Sequence, residues 1–261
     1  MIGGVKGLKA GRCIRSMGAI LFDLGETLIY LDPEDKRRVE NGRFEMVQGY
    51  LADRGVRFTV DVLRDVYRGS VEALSDDSER EVHIQSILAE MLRRLSVDGS
   101  SIDLGELERV FYRREVEAWK LFPDAIPCLE YALEAGFKLG LVSNARSDWA
   151  VRAILKRLGL EGYFEAAVTS AQVGWRKPSP EPFIKALEIL GETPGRAAFI
   201  GDTFSADIVG AEKIGLKTIF LNRRGEPTPV VQGVTPDYVV RDLREGVEVL
   251  RVLSRSIRAH G

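Results

Sequence analysis

Along the chain, runs of four or five apolar residues bounded by turn formers alternate with stretches whose apolar residues recur every three to four positions. The short runs at 19–22, 138–142, 166–169, 197–200, 217–221 and 238–240 read as strands buried on both faces. The stretches at about 125–135, 147–158, 180–190, 205–214 and 242–257 read as helices. Such alternation predicts an α/β fold, a doubly wound parallel sheet with right-handed crossovers.

From about residue 33 to 122 the rhythm changes. Phe44, Val47 and Leu51 share a helical spacing, as do Ile84, Ile87, Leu88, Met91 and Leu95, with turns at 75–79 and 97–101. This predicts an inserted all-α domain of four or five helices after the first strand, re-entering the sheet near Leu121-Phe122-Pro123. The expected organisation is an N-terminal extension over 1–17, an α/β core from 18–32 and 123–261, and a helical domain over 33–122. Residues 223–236, with three prolines and two glycines, read as a loop.

Composition narrows the function classes. A chain of 261 residues with 45% hydrophobic and 29% charged content suits one large domain or two unequal ones. The formal charge of −2 gives no basic field for nucleic acid or anionic lipid, so neither is expected as a partner. Cys13 and Cys128 make neither a disulfide framework nor a metal knuckle, which suits a reducing, cytoplasmic setting. No apolar stretch approaches the roughly 18 residues that span a bilayer. Residues 1–17 carry Lys6, Lys9, Arg12 and Arg15 without an apolar core, so they read as a solvated extension, or as an over-long start with Met17 as initiator. With only His83 and His260, a histidine-driven mechanism is set aside. Nothing in the sequence signals an oligomeric state.

In open parallel sheets ligands bind beyond the carboxyl ends of the strands, where the strand order reverses. Asp23 follows the first strand, Ser143-Asn144 the second, the loop Gly174-Trp175-Arg176-Lys177-Pro178 the third, and Gly201-Asp202 closes the fourth. Taken singly, these are ordinary turn formers and helix caps, Lys177 is a surface charge, and Asp207 is a first-turn helix residue. Their convergence on one sheet edge gives two carboxylates for a hard divalent cation, a hydroxyl, a lysine and free N–H groups for a phosphoryl group. Asp23 is then placed for nucleophilic attack.

On Asp23-Leu-Gly-Glu-Thr-Leu, Val142-Ser143-Asn144, Lys177-Pro178 and Gly201-Asp202-Thr-Phe-Ser-Ala-Asp207, the sequence resembles the haloacid dehalogenase-like hydrolase superfamily, and the match spans nearly all of 19–221. The resemblance implies a Rossmann-like core with a helical cap. It implies Asp23 as nucleophile of an aspartyl-phosphate, and Mg²⁺ held by Asp23, Asp202 and the backbone carbonyl of Gly25. Ser143, Asn144 and Lys177 would take the phosphoryl group of a small phosphorylated metabolite, with Thr27 and Asp207 in support.

The family's usual phosphatases carry a second aspartate two residues after the nucleophile, and here that residue is Gly25. A positioned acid–base supplies about 10²–10⁴-fold in rate, or about 3–5 kcal/mol of barrier. The expectation is a Mg²⁺-dependent phosphomonoester hydrolase that is weak toward poor leaving groups, unless Glu26 or a cap carboxylate substitutes. The alternatives are a non-catalytic phosphate-binding protein and, less favoured because Asp202 is retained, a 2-haloacid dehalogenase. Tyr30, Arg37, Arg38, Arg43 and Trp119 are candidates to face a substrate, and each also reads as an ordinary surface or core residue.

Overall fold

The computed structural model describes residues 17–76, 78–229, 231 and 233–258. Cys13, His260 and residues 1–16 of the expected extension lie outside the described residues. Met17 is buried, packed beside the first strand.

Strand β1 (Ala19–Phe22) is followed by a tight turn and the two-residue β2 (Ile29–Tyr30). Helices α1 (Pro33–Ala52), α2 (Val60–Leu74), α3 (Ile84–Arg94) and α4 (Leu104–Ala118) come next. The return runs through β3 (Lys120–Leu121), which pairs antiparallel with β2. The remainder alternates: α5 (Ala125–Glu134), β4 (Lys138–Ser143), α6 (Asp148–Arg157), β5 (Ala166–Thr169), α7 (Ser170–Val173) and α8 (Glu181–Leu190). It ends with β6 (Ala197–Gly201), α9 (Val209–Ile214), β7 (Lys217–Leu221), β8 (Tyr238–Val240) and α10 (Leu243–Arg258).

Among the described residues, six strands form a parallel sheet in the order β5-β4-β1-β6-β7-β8, as the apolar runs predict. All four residues of β1 are buried, as expected for a central strand covered on both faces. Phe22, Leu139, Leu141 and Ile200 pack toward α5 and α10; Leu21, Val142, Phe183 and Phe199 pack on the other face.

The four helices between β2 and β3 enclose an apolar centre of their own. It contains Phe44, Val47, Leu51, Ile84, Ile87, Leu88 and Met91, the residues singled out by helical spacing, with Leu63, Leu107 and Phe111. Ala150 and Trp149 of α6 join this cluster, so the module rests on the core. Helix α1 starts where Asp32 accepts hydrogen bonds from the N–H groups of Glu34 and Asp35, with proline as its first residue.

Two details differ from the sequence expectation. The stretch 205–214 is not one regular helix: Phe204–Ile208 forms a wide π-type turn before α9 begins. The β2–β3 ribbon was not anticipated, because two-residue strands are too short to show periodicity. Among the described residues, no helix is long and apolar enough to cross a membrane. Cys128 is buried and free, and burial pushes its thiol up to about 12.

Candidate active site

From β1 the chain crosses to β4 and β5 on one side, then returns to β6, β7 and β8 on the other. The crevice therefore opens at the C-terminal end of β1, where the winding reverses. Asp23 stands at that point, its N–H donated to the Ile200 carbonyl of β6 at 2.9 Å.

Lys177 lies underneath, almost fully buried. Its ammonium group donates to Asp23 Oδ1 at 2.6 Å and to the Val142 carbonyl at 2.8 Å, and forms an ion pair with Asp207 Oδ1 at 2.7 Å. An ammonium group has three protons, so these contacts fix its position. Asn144 braces the same lysine: its Oδ1 accepts from the Lys177 N–H at 2.8 Å and its Nδ2 donates to the Lys177 carbonyl at 3.0 Å. The Asn144 side chain is thus committed to holding Lys177, which leaves its backbone N–H for any phosphoryl oxygen. Ser143, buried at the end of β4, lines the same cavity.

The wide turn after β6 explains the spacing of Gly201-Asp202 and Asp207. It returns the Asp207 carboxylate over the strand end, where Oδ2 accepts from the Thr203 N–H at 2.9 Å. A Cβ on Gly201 would collide with that carboxylate, so the glycine makes room for it. Thr27, fully buried, donates to Asp202 Oδ1 at 3.4 Å across the crevice.

Ligand oxygens of Asp23, Asp202 and Asp207 lie within 4.8 Å of one another, with one buried lysine among them. Burial alone would lower the Lys177 pKa, but Asp207 and Asp23 reverse this and hold it above its ordinary value. Burial raises Asp202 to about 7, reinforced by the charges of Asp23 and Asp207. Burial also raises Asp207, against the pull of Lys177. The site thus has surplus negative charge and hard oxygen donors, a set that fits a divalent cation such as Mg²⁺. Lys177 engages both Asp23 and Asp207, and the Thr203 N–H adds a second contact to Asp207.

Above these groups is a cavity of about 730 Å³. Its wall includes Gly25, Glu26, Trp119 and Glu115 of α4. A Cβ built on Gly25 would meet only Trp119 Cη2, at 3.7 Å, so a side chain fits there. Glu26 is exposed and holds a left-handed φ of 56°, which costs a non-glycine residue about 1–2 kcal/mol. Glu115 pairs with Arg43 at 2.7 Å; burial raises its carboxyl, opposed by Arg43.

Of the other residues proposed to face a substrate, Trp119 lines the cavity. Tyr30 instead stacks on Phe122, with ring centres 4.7 Å apart. Arg37 and Arg38 are exposed, Arg38 pairing with Glu34. Arg43 turns toward Glu115. Sequence reasoning did not single out Glu115, which carries no local motif, or Arg223, which fell in an unremarkable loop. Arg223 donates to both Asp124 oxygens at 3.0 Å and to the Thr27 carbonyl at 3.0 Å, bracing the turn that carries Thr27.

A second tie joins the helical module to the core. The Glu81 N–H donates to the Gly174 carbonyl at 3.0 Å, and the Arg176 N–H donates to the Glu79 carbonyl at 2.7 Å. The Arg80 guanidinium lies over the Trp175 ring at 4.8 Å. The buried Glu81 carboxylate accepts from Ser170 Oγ at 2.6 Å and faces Arg146 and Arg176 at 3.8 and 3.7 Å. The loop leading to Lys177 is thereby zipped to the segment between α2 and α3.

A crevice of this build at the switch point defines a class, and comparison with known proteins agrees with it. The family model for haloacid dehalogenase-like hydrolases matches residues 17–215, and the chain belongs to that family. It is 31% identical over 242 residues to a glyceraldehyde 3-phosphate phosphatase of Methanopyrus kandleri, covering 91% of this chain and 98% of the relative. Among solved structures, a phosphatase of this family from Thermococcus onnurineus superposes with a TM-score of 0.63 at 26% identity, over 90% of this chain and 98% of that one. A 2-haloacid dehalogenase from Pseudomonas syringae pv. Tomato superposes with a TM-score of 0.66 at 25% identity, over 90% and 99%.

Proposed function

We propose that the chain is a Mg²⁺-dependent phosphomonoester hydrolase acting on a small phosphorylated metabolite through an aspartyl-phosphate on Asp23. The observation that carries this reading is the packing of Asp23, Asp202 and Asp207 around the buried ammonium of Lys177 on the floor of a cavity suited to a small ligand. Likeness to a named phosphatase over nearly the whole chain supports it.

An Asp23 carboxylate oxygen attacks phosphorus, the P–O bond to the substrate breaks, and the leaving oxygen departs with the electron pair. Water then attacks the phosphorus of the aspartyl-phosphate, which frees inorganic phosphate and restores the Asp23 carboxylate. Ser143, the Asn144 N–H and Lys177 hold the phosphoryl oxygens, with one Lys177 contact yielding to an incoming oxygen. Mg²⁺ held by Asp23, Asp202 and the Gly25 carbonyl would offset the charge that gathers on the phosphoryl oxygens. Thr27 and Asp207 position Asp202 and its loop. The helices over 33–122 act as the cap, with Trp119 and Glu115 forming the roof nearest to Gly25.

Phosphate release from p-nitrophenyl phosphate, acetyl phosphate and a set of sugar phosphates, with Mg²⁺ or EDTA, tests the reading. The expected result is Mg²⁺-dependent turnover biased toward good leaving groups. Silence across the panel by a folded, metal-supplied protein would favour a phosphate-binding role. Halide release from a 2-haloacid, unaffected by EDTA, would favour the dehalogenase reading.

Asp202 also sets a pH dependence independent of turnover. Its folded pKa of about 7 lies above its ordinary value of 3.8, so protonation favours the metal-free fold below both values. That contribution fades as pH rises through 7, where a buried charge is exposed to its neighbours. A cation requires the ionised carboxylate, so its affinity falls up to about tenfold per unit below pH 7. Millimolar Mg²⁺ should therefore raise the melting temperature more at pH 8 than at pH 6. An equal shift at both pH values would argue that Asp202 is not a ligand.

A further inference from the structure

Apart from the catalytic cavity, a hollow of about 380 Å³ opens between α1, α2 and the loop after β4. Four guanidinium groups line it: Arg43 of α1, Arg64 and Arg68 of α2, and Arg146 two residues beyond Asn144. Glu40 is the one carboxylate among its described lining residues. Phe44 and Tyr67 supply an aromatic wall, their ring centres 5.4 Å apart. The Arg64 guanidinium lies over Phe44 of that wall at 5.9 Å, and that of Arg43 over the neighbouring Phe111 at 4.7 Å.

Each arginine has an acid behind it: Glu115 at 2.7 Å, Asp61 at 2.7 Å, Asp65 at 3.6 Å and Glu81 at 3.8 Å. A guanidinium has five N–H donors, and one carboxylate does not use them all. Arg43 Nε is buried and has no hydrogen-bond partner among the described residues. The Arg64 and Arg68 side chains are the open ones, 34% and 65% exposed, and an anion in the hollow would take their remaining N–H donors. No residue lining this hollow lines the catalytic cavity. The Arg43–Glu115 pair is the partition between them, since Glu115 belongs to the catalytic wall.

We infer that this hollow is a binding site for a second small anion, a phosphate or carboxylate on a flat apolar body, separate from the group attacked by Asp23. Bidentate guanidinium contacts recognise the oxyanion, and the Phe44–Tyr67 wall takes the apolar part.

Phenylphosphonate, which carries both features and has no ester bond to hydrolyse, is titrated calorimetrically into the metal-free protein in EDTA. The Arg64→Ala/Arg68→Ala protein should bind it at least about tenfold more weakly, and the Ser143→Ala protein should bind it as the unmodified protein does. Affinity should also fall as sodium chloride is raised. If the alanine pair lowers the melting temperature, Arg64→Lys/Arg68→Lys replaces it. That protein keeps charge and stems but loses the planar fork, and should still bind severalfold more weakly. Binding that survives loss of the arginines, binding that disappears with Ser143, or no binding by the unmodified protein would each overturn the inference. Phosphate release by the Arg64/Arg68 variants should remain at the unmodified level, so failure here is separable from failure of the phosphatase reading.

Discussion

The Asp23→Asn protein should lose at least about 10⁴-fold in phosphate release, with every substrate the unmodified protein turns over. An amide in place of the carboxylate removes the attacking oxygen without changing side-chain volume. The fold should tolerate it: Lys177 keeps Asp207 at 2.7 Å and the Val142 carbonyl at 2.8 Å. Charge repulsion on Asp202 also falls, because Asp23 is one of the groups raising its pKa. Single-turnover phosphate release and a thermal melt check both halves. Retained turnover would remove Asp23 from the chemistry. Thermal stabilisation by inorganic phosphate that persists in Asp23→Asn, beside an unmodified protein that turns over nothing, would favour a binding protein.

Gly25→Asp should act in the opposite direction. Proton donation to a departing alkoxide is worth about 10²–10⁴-fold, and a Cβ at this position meets only Trp119 Cη2, at an ordinary 3.7 Å. The gain should be near 10²-fold or more on alkyl and sugar phosphates, whose leaving oxygens need a proton. It should be slight on p-nitrophenyl phosphate and acetyl phosphate, whose leaving groups are stable as anions. The ratio of kcat/KM between the two substrate groups is the quantity to measure, because it cancels changes in active fraction. An unchanged ratio would mean that another carboxylate already donates the proton. Glu26→Gln and Glu115→Gln would then identify it, since these two acids line the wall beside Gly25.

The sheet was legible because a strand covered on both faces must be apolar along its buried length, as β1 and β6 are throughout and β4 is over Leu139–Val142. The helices between β2 and β3 were legible for the same reason in helical form, through Phe44, Val47 and Leu51 or Ile84, Ile87 and Met91. The convergence of Asp23, Ser143, Lys177 and Asp202 followed from their places at strand ends, since the topology then has one crevice to offer. What stayed hidden depends on contacts between distant segments. The Asn144 N–H reads as a phosphate contact from its place at a strand end, but the further bracing of the Lys177 backbone by its side-chain amide is a pairing that spans 33 residues. Arg223 lies in a loop without periodicity and gains its role only when it reaches Asp124 and Thr27. The paired arginines around the second hollow come from α1, α2 and a core loop, with no local spacing to mark them.

The central place of β1 also bears on how the chain comes together as it is made. One neighbour, β4, follows after the helical module, but the other, β6, begins only at Ala197. Until that residue emerges, the Ala-Ile-Leu-Phe strand has one edge with unpaired backbone groups and a fully apolar sequence, the kind of edge that recruits other chains. Asp202 arrives at the end of the strand that covers this edge. The nascent chain therefore covers this edge and brings Asp202 up to Asp23 in the same event.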